Sequence, residues 1–360
     1  MNVLFIGRGK LKSGLTGDST QLRRTMDEVA KRGCCVKFAG VGAGGFVTED
    51  GGDISVETMK RMIAEADVLH VFLIAPAVFA RIALWAGRKP ICLSTVYWMG
   101  WERFVLALMN EQGFGKKIRR CLYFLRTACP FLMNYRGASL LLPNSMQEGV
   151  CVRRHFSLSP KSRVLPVVNA FDIPSFSIED LPRPSWLPQG DYIVYPGVFA
   201  SRKNQSRFIV ACRGLGIPIV FLGGVGASEE YLEHCKHLAT EEMIFAGFLP
   251  SSSSEYWAVL SHARCACLVS DCETPGIALL EASYAGARPV VTRNGGTASY
   301  YGGCAEYCNP CSVNSIRSAV KQAWNRGRLS EYDRGAFGVY SWCRCADQTL
   351  EAYTLAMKGV

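Results

Sequence analysis

The chain has 360 residues, 49% hydrophobic and 19% charged, which is long enough for two packed domains and too apolar for a disordered polymer. Residues 1–172 carry 24 Lys and Arg against 13 Asp and Glu, a net of +11, whereas residues 173–360 carry 16 against 17, a net of −1. An anionic partner would therefore meet the first half.

The opening Met1-Asn-Val-Leu-Phe-Ile-Gly7 enters a strand with no basic leader before it, so no secretory signal is expected. A helix over Ser19–Arg32 follows, then a strand at Cys35–Ala39, a helix over Ser55–Ala66 and strands at Val68–Ile74, Ile91–Ser94 and Ser139–Leu142. The longest apolar stretch, Val71–Gly87, contains Pro76 and Arg81 and falls short of the ~20 residues of a membrane-spanning helix; it reads as a strand end and a buried helix. Alternation of this kind predicts an α/β fold, a parallel sheet with helices on both faces.

Residues 173–190 hold Pro174, Pro182, Pro184 and Pro188 without periodicity and read as a linker. A second alternating series occupies 191–341: strands at Tyr192–Tyr195, Ile219–Gly224, Met243–Gly247, Arg264–Ser270 and Arg288–Thr292, with helices between them. The expectation is two doubly wound, Rossmann-like domains facing a cleft, residues 1–172 and 191–341. In such sheets, ligands bind outside the carboxyl ends of the strands. Sixteen cysteines, several within apolar strands, read as reduced thiols of a cytoplasmic protein, because a chain of this size needs no disulfides to fold.

The densest chemistry lies in Asp271-Cys-Glu-Thr-Pro-Gly-Ile-Ala-Leu-Leu-Glu281. Glu273 falls on the loop after a buried strand, Pro275-Gly276 opens a helix, and Glu281 lies about a turn inside it. The unpaired amides of Gly276, Ile277 and Ala278 would attract phosphate, and the flanking carboxylates can accept hydrogen bonds from sugar hydroxyls. Phosphate plus hydroxyls describes a nucleotide sugar. Gly197, Arg202, Lys203 and Asn204 follow another strand on the same edge, where Arg can fork onto two phosphate oxygens and Lys can act as a point charge. Asn294 with its two glycines forms a third loop there, and Gly14 and Gly17 form a loop after the first strand of the first domain.

These segments together resemble the retaining GT-B glycosyltransferases of group 1, also called family 4. The resemblance rests on the Glu-x7-Glu pair, Gly197 with Arg202-Lys203-Asn204, Arg288-Pro-Val-Val-Thr with Asn294-Gly-Gly, Ala66-Asp-Val-Leu-His70, Leu142-Pro-Asn-Ser-Met-Gln-Glu148 and Val167-Val-Asn-Ala-Phe-Asp172. Ser341-Trp342 resembles the start of the family's terminal helix, which implies that residues 342–360 pack back on the first domain. The resemblance implies that Arg202 and Lys203 hold the donor diphosphate, Glu281 the ribose and Glu273 the hydroxyls of the transferred sugar. It also implies transfer with retention, no metal and no cofactor beyond the donor itself. Two departures accompany it: Val198 stands where the family often has an arginine, and Ser94-Thr-Val-Tyr97-Trp98 lacks the family's first-domain histidine. Arg202 is then the candidate replacement for the first, and Tyr97 or backbone groups for the second; Gly14, Gly17, Ser94, Tyr97 and Asn294 are the candidate acceptor or cleft residues.

Two rival readings fit the same residues: a GT-B sugar-nucleotide epimerase or hydrolase, and an inactive sugar-nucleotide-binding protein. Cys304, Cys308 and Cys311 have the spacing of a radical-enzyme iron–sulfur motif but lie late in the second domain, where incidental thiols are expected. Lys116, Lys117, Arg119, Arg120 and Arg126 interleave with Leu122, Phe124 and Leu125, a pattern that can lie on an anionic membrane surface. The acceptor implied is an anionic glycan or glycolipid; no nucleic-acid recognition motif accompanies the charge.

Overall fold

The computed structural model describes residues 1–9, 17–72, 74–95, 113–115, 117–119, 121–122, 134–155, 163–226 and 228–359. Gly14, Tyr97, Lys116, Arg120 and Arg126 lie outside these residues. The chain divides into two compact units: Met1–Ala170 with Trp342–Val360, and Phe171–Ser341.

The first unit is built on β1 (Asn2–Arg8), β2 (Cys35–Val41), β3 (Phe46–Val47), β4 (Asp53–Ile54), β5 (Val68–Phe72), β6 (Ile91–Ser94) and β7 (Leu140–Leu142). They form one sheet in the order β4-β3-β2-β1-β5-β6-β7. All pairings are parallel except those of β3 and β4, a short antiparallel extension on one edge that the sequence pattern does not announce. Two-residue strands carry no period to read. Helices α1 (Gly17–Lys31), α2 (Val56–Glu65), α3 (Pro76–Ala86) and α4 (Met146–His155) connect the strands. Ser55 caps α2 by accepting from the Thr58 amide at 3.1 Å. Ser145 likewise accepts from the Glu148 amide at 3.1 Å at the start of α4, and Glu148 accepts from the Asn144 amide and the Thr95 hydroxyl.

The second unit holds β8 (Ile193–Pro196), β9 (Ile219–Leu222), β10 (Met243–Gly247), β11 (Cys265–Leu268), β12 (Arg288–Thr292) and β13 (Glu306–Cys308). All are parallel, in the order β10-β9-β8-β11-β12-β13. The chain order reverses between β8 and β11, and in open parallel sheets the carboxyl ends of the strands at such a reversal are where ligands bind. Helices α5 (Gln205–Cys212), α6 (Glu229–Leu238), α7 (Ser254–Ser261), α8 (Ile277–Tyr284), α9 (Thr297–Tyr301), α10 (Val313–Arg326) and α11 (Glu331–Gly335) complete this unit. Residues 171–190 have no regular element and cluster with it. Phe171 bridges Ser341 as a parallel pair, and its amide donates to the Tyr340 carbonyl at 3.2 Å.

Helix α12 (Trp342–Met357) belongs to the first unit. Trp342, Cys345, Ala346, Ala352, Tyr353 and Ala356 join Val3, Phe5, Leu22 and Met26 in one apolar core. Fully burying a large apolar side chain stabilises by roughly 1.5–3 kcal/mol, so this helix is a fixed part of the unit. His70, wholly buried on β5, is paired on both ring nitrogens: Nδ1 with the Tyr353 hydroxyl at 2.7 Å and Nε2 with the Ser94 hydroxyl at 2.9 Å. Burial pushes its pKa down to about 3, so the ring is neutral at physiological pH.

Candidate functional site

The loops after β8, β11 and β12 converge at the carboxyl edge of the second sheet. After β8 the chain passes Gly197 and makes a single 3-10 turn over Ser201–Lys203, then Asn204 takes a left-handed conformation, φ 66° and ψ 25°. The buried Tyr195 hydroxyl fixes this turn, accepting from the Val269 amide at 3.1 Å and donating to the Lys203 carbonyl at 2.5 Å. Lys203 then points its ammonium at Glu273 Oε1, 2.6 Å away, with the two side chains only 12% and 8% exposed. Arg202 is exposed and has no side-chain partner among the described residues.

Glu273 is placed by its neighbours in β12's loop. Its amide donates to the Asn294 carbonyl at 3.2 Å, and its carbonyl accepts from the Gly296 amide at 3.0 Å. Asn294 Nδ2 donates to the Asp271 carbonyl at 2.9 Å, tying the two loops a second time. Gly295 makes this approach possible: its φ is 108°, and a β-carbon there would lie 2.1 Å from the Glu273 carbonyl oxygen.

Gly276 (φ 83°) caps α8, where a β-carbon would sit 2.5 Å from Leu268 Cδ2 and 3.4 Å from Glu273 Oε2. The amides of Gly276, Ile277 and Ala278 have no backbone partner among the described residues, and the first bond into this turn runs from the Leu279 amide to the Gly276 carbonyl at 2.9 Å. A largely buried lysine, a buried glutamate and an open helix start therefore share one edge, a set able to hold an anion and hydrogen-bond a hydroxyl beside it.

Glu281 lies further along α8, 5% exposed, with Oε2 accepting from the Tyr256 hydroxyl of α7. Burial pushes its carboxyl up to about 8; the Tyr256 bond opposes the shift, and the Asp172 carboxylate adds to it. Tyr256 itself is pushed well above its ordinary value by burial, and so acts as a neutral donor.

The structure thus brings Gly197, Arg202, Lys203, Glu273, Gly276, Ile277, Ala278, Glu281 and Asn294 to the edge where the sequence places them. Asn204 is on the same edge but faces inward: it is 4% exposed, and its Nδ2 donates to the carbonyls of Val269 at 3.0 Å and Pro310 at 2.8 Å. Its amide braces two loops, which corrects its reading as a group facing a ligand. Ser94 is likewise buried, 3% exposed and bonded to His70. Gly17 begins α1. Sequence reasoning missed Tyr195 and Tyr256, because hydrogen bonds to groups on other elements leave no local pattern.

In the three-cysteine motif, Cys304 is half-buried, Cys308 is buried in β13 and Cys311 is exposed. Among the described residues no group of three or more His, Cys, Asp or Glu is placed to hold a metal ion. No described helix is long and apolar enough to cross a membrane. Of the basic stretch, the described residues between 114 and 122 are helical, and Phe114, Ile118 and Leu122 are 80%, 45% and 56% exposed at a four-residue spacing. Arg119 is exposed and Lys117 is half-buried on the same segment.

Residues 179–329 match the family described as Glycosyl transferases group 1. The matched stretch contains every loop of the site just described. Among solved structures, sucrose-phosphate synthase from Thermosynechococcus elongatus aligns over 100% of both chains at TM-score 0.71 and 14% identity. A glycosyltransferase from Rickettsia africae aligns over 100% of this chain and 99% of its own at TM-score 0.68 and 13% identity. HepE of Anabaena, solved in complex with UDP-glucose, aligns over 99% and 100% at TM-score 0.66 and 12% identity. At such identities the likeness is one of fold, and the fold is GT-B. No curated protein matches the chain in sequence.

Proposed function

We propose that the protein is a retaining glycosyltransferase that moves a sugar from a nucleotide-sugar donor to an anionic acceptor. The observation that carries this reading is the Lys203–Glu273 pair set against the open amides of α8 at the strand-order reversal. In this reading Arg202, Lys203 and the amides of Gly276 to Ala278 hold the donor diphosphate. As the glycosidic bond breaks, negative charge grows on the leaving diphosphate, and these fixed charges and dipoles stabilise it without reorganising. Glu273 has one oxygen engaged by Lys203 and the other turned toward Gly276, where it accepts from hydroxyls of the transferred sugar. Glu281 accepts from the ribose. The departing phosphate oxygen takes the acceptor's proton on the face it leaves, which accounts for retention without an enzymic nucleophile. The reading calls on no metal and no added cofactor.

The excess positive charge of residues 1–172 favours an acceptor bearing phosphates or sugar acids, such as a lipid-linked glycan intermediate. The Phe114–Ile118–Leu122 stripe beside Lys117 and Arg119 supports delivery of that acceptor from the cytoplasmic face of an anionic membrane. The protein would then be peripheral there. Thermal shift across a panel of UDP-, GDP- and ADP-sugars tests the donor half: a bound donor raises the melting temperature with concentration. Absence of any shift across the panel, or an unchanged shift in Glu281→Ala and Lys203→Ala, would refute it. Release of nucleotide only when an acceptor is present separates transfer from hydrolysis or epimerisation, and binding without release marks an inactive protein.

A further inference from the structure

The second carboxylate of the site is held in an unusual way. Glu281 sits on α8 behind the helix start, nearly sealed from water, and the described structure gives it one direct side-chain partner, the Tyr256 hydroxyl on Oε2. The titratable groups that act on it among the described residues are Tyr256 from α7 and Asp172 from the segment after residue 170. No lysine, arginine or histidine of α7, β11, β12 or α11 does so. A buried carboxyl on which no described cation acts, and on which a second carboxylate does, favours its protonated form. A vicinal diol donating to Oε1 would favour the charged form instead, because a carboxylate accepts hydrogen bonds more strongly than a carboxylic acid does.

We propose that Tyr256 is a positioning residue of the donor site: it fixes Glu281 so that Oε1 alone is offered to the ribose diol, and diol binding expels one proton from Glu281 to solvent. This rests on the donor reading above. The balance is simple. The free protein holds Glu281 as the acid with Tyr256 against Oε2. The complex holds it as the carboxylate, accepting from Tyr256 at Oε2 and from a ribose hydroxyl at Oε1, and the buffer takes the proton. Burial that pushes the carboxyl up to about 8 places this exchange in the physiological range. Donor affinity would then rise with pH, and acidification would release the donor.

Calorimetric titration with UDP, GDP and ADP, in two buffers of different ionisation enthalpy, counts the protons released. The 2′,3′-dideoxy counterpart of whichever nucleotide binds removes the diol while keeping the phosphates and their own titration. The expected result is up to one more proton released by the ribonucleotide than by its dideoxy form. Its affinity advantage should grow by up to ~10-fold per pH unit from pH 6 to 8. Tyr256→Phe, which removes a donor that favours the carboxylate, should move that rise to higher pH, with binding weakened at pH 7 and restored near pH 9. Glu281→Gln should abolish the difference in protons between the two nucleotides. Equal proton release by both, or a Tyr256→Phe loss of the same factor at every pH, overturns the proposal while leaving the donor reading intact. Failure of all three nucleotides to bind overturns both.

Discussion

Replacing Lys203 with alanine tests the centre of the site, because the pair it forms with Glu273 spans two loops 70 residues apart. Both side chains are close to fully buried, and deleting the lysine leaves the Glu273 carboxylate without its cation in a place that water reaches poorly. Breaking a buried pair in this way costs ~3–5 kcal/mol, and the residual exposure at this edge argues for the lower half of that range. For a unit of this size each kcal/mol lowers the melting temperature by roughly 2–4 °C, so a fall of roughly 6–16 °C is expected by differential scanning calorimetry. The second variant decides the interpretation. Adding Glu273→Gln to Lys203→Ala removes the stranded charge and should recover at least a third of the loss, whereas both variants should lose donor binding. A Lys203→Ala protein that melts within about 1 °C of the parent would refute the claim that the pair orders these loops.

Arg202→Ala should leave the melting temperature unchanged, since the side chain is exposed and has no partner among the described residues, yet weaken binding of a nucleoside diphosphate about tenfold in a fluorescence titration. Gly295→Ala should cost several kcal/mol and abolish turnover, because its β-carbon would displace the Glu273 carbonyl; a stable, active variant would show that the β11 and β12 loops can part without consequence. Glu281 also predicts a stability profile. Burial pushes its carboxyl up to about 8 in the folded chain from an ordinary 4.5, so between these values the folded state holds a proton that the unfolded state has lost. Stability should therefore fall as pH rises from about 5 to 8 and level off above, and Glu281→Gln should remove a few kcal/mol of that slope in urea titrations. An identical slope in both proteins would contradict the burial argument. Tyr353→Phe should cost about 1 kcal/mol by leaving His70 Nδ1 unpaired in the core, and no loss on unfolding would contradict the pairing.

What the sequence makes legible here is what a doubly wound sheet turns into position. Glu273 and Lys203 each follow a buried strand by a few residues, so the strand pattern alone delivers both to the carboxyl edge, and Pro275-Gly276 announces the helix start between the two glutamates. The loops' contents were readable because strand ends are. Orientation was not readable. Asn204 follows Lys203 directly, but its positive φ turns the side chain into the sheet edge, onto carbonyls at Val269 and Pro310 that no local pattern connects to it. Tyr195 and Tyr256 look like core residues from their strand and helix, and so they are, yet each sends one hydroxyl to a site group contributed by a different element. The antiparallel β3 and β4 are too short to show a period.

The pairing of Phe171 with Ser341 bears on how the chain comes to be made. Everything between those residues is a closed loop of sequence whose two ends meet, inserted into a unit that stays incomplete until its last helix appears. During synthesis the 171–341 unit can fold while α12 is still inside the ribosome, and the first 170 residues must wait with the face that Trp342 and Tyr353 cover left open. Loss of residues 342–360 would thus injure the unit of residues 1–170 and spare the one encoded beside it.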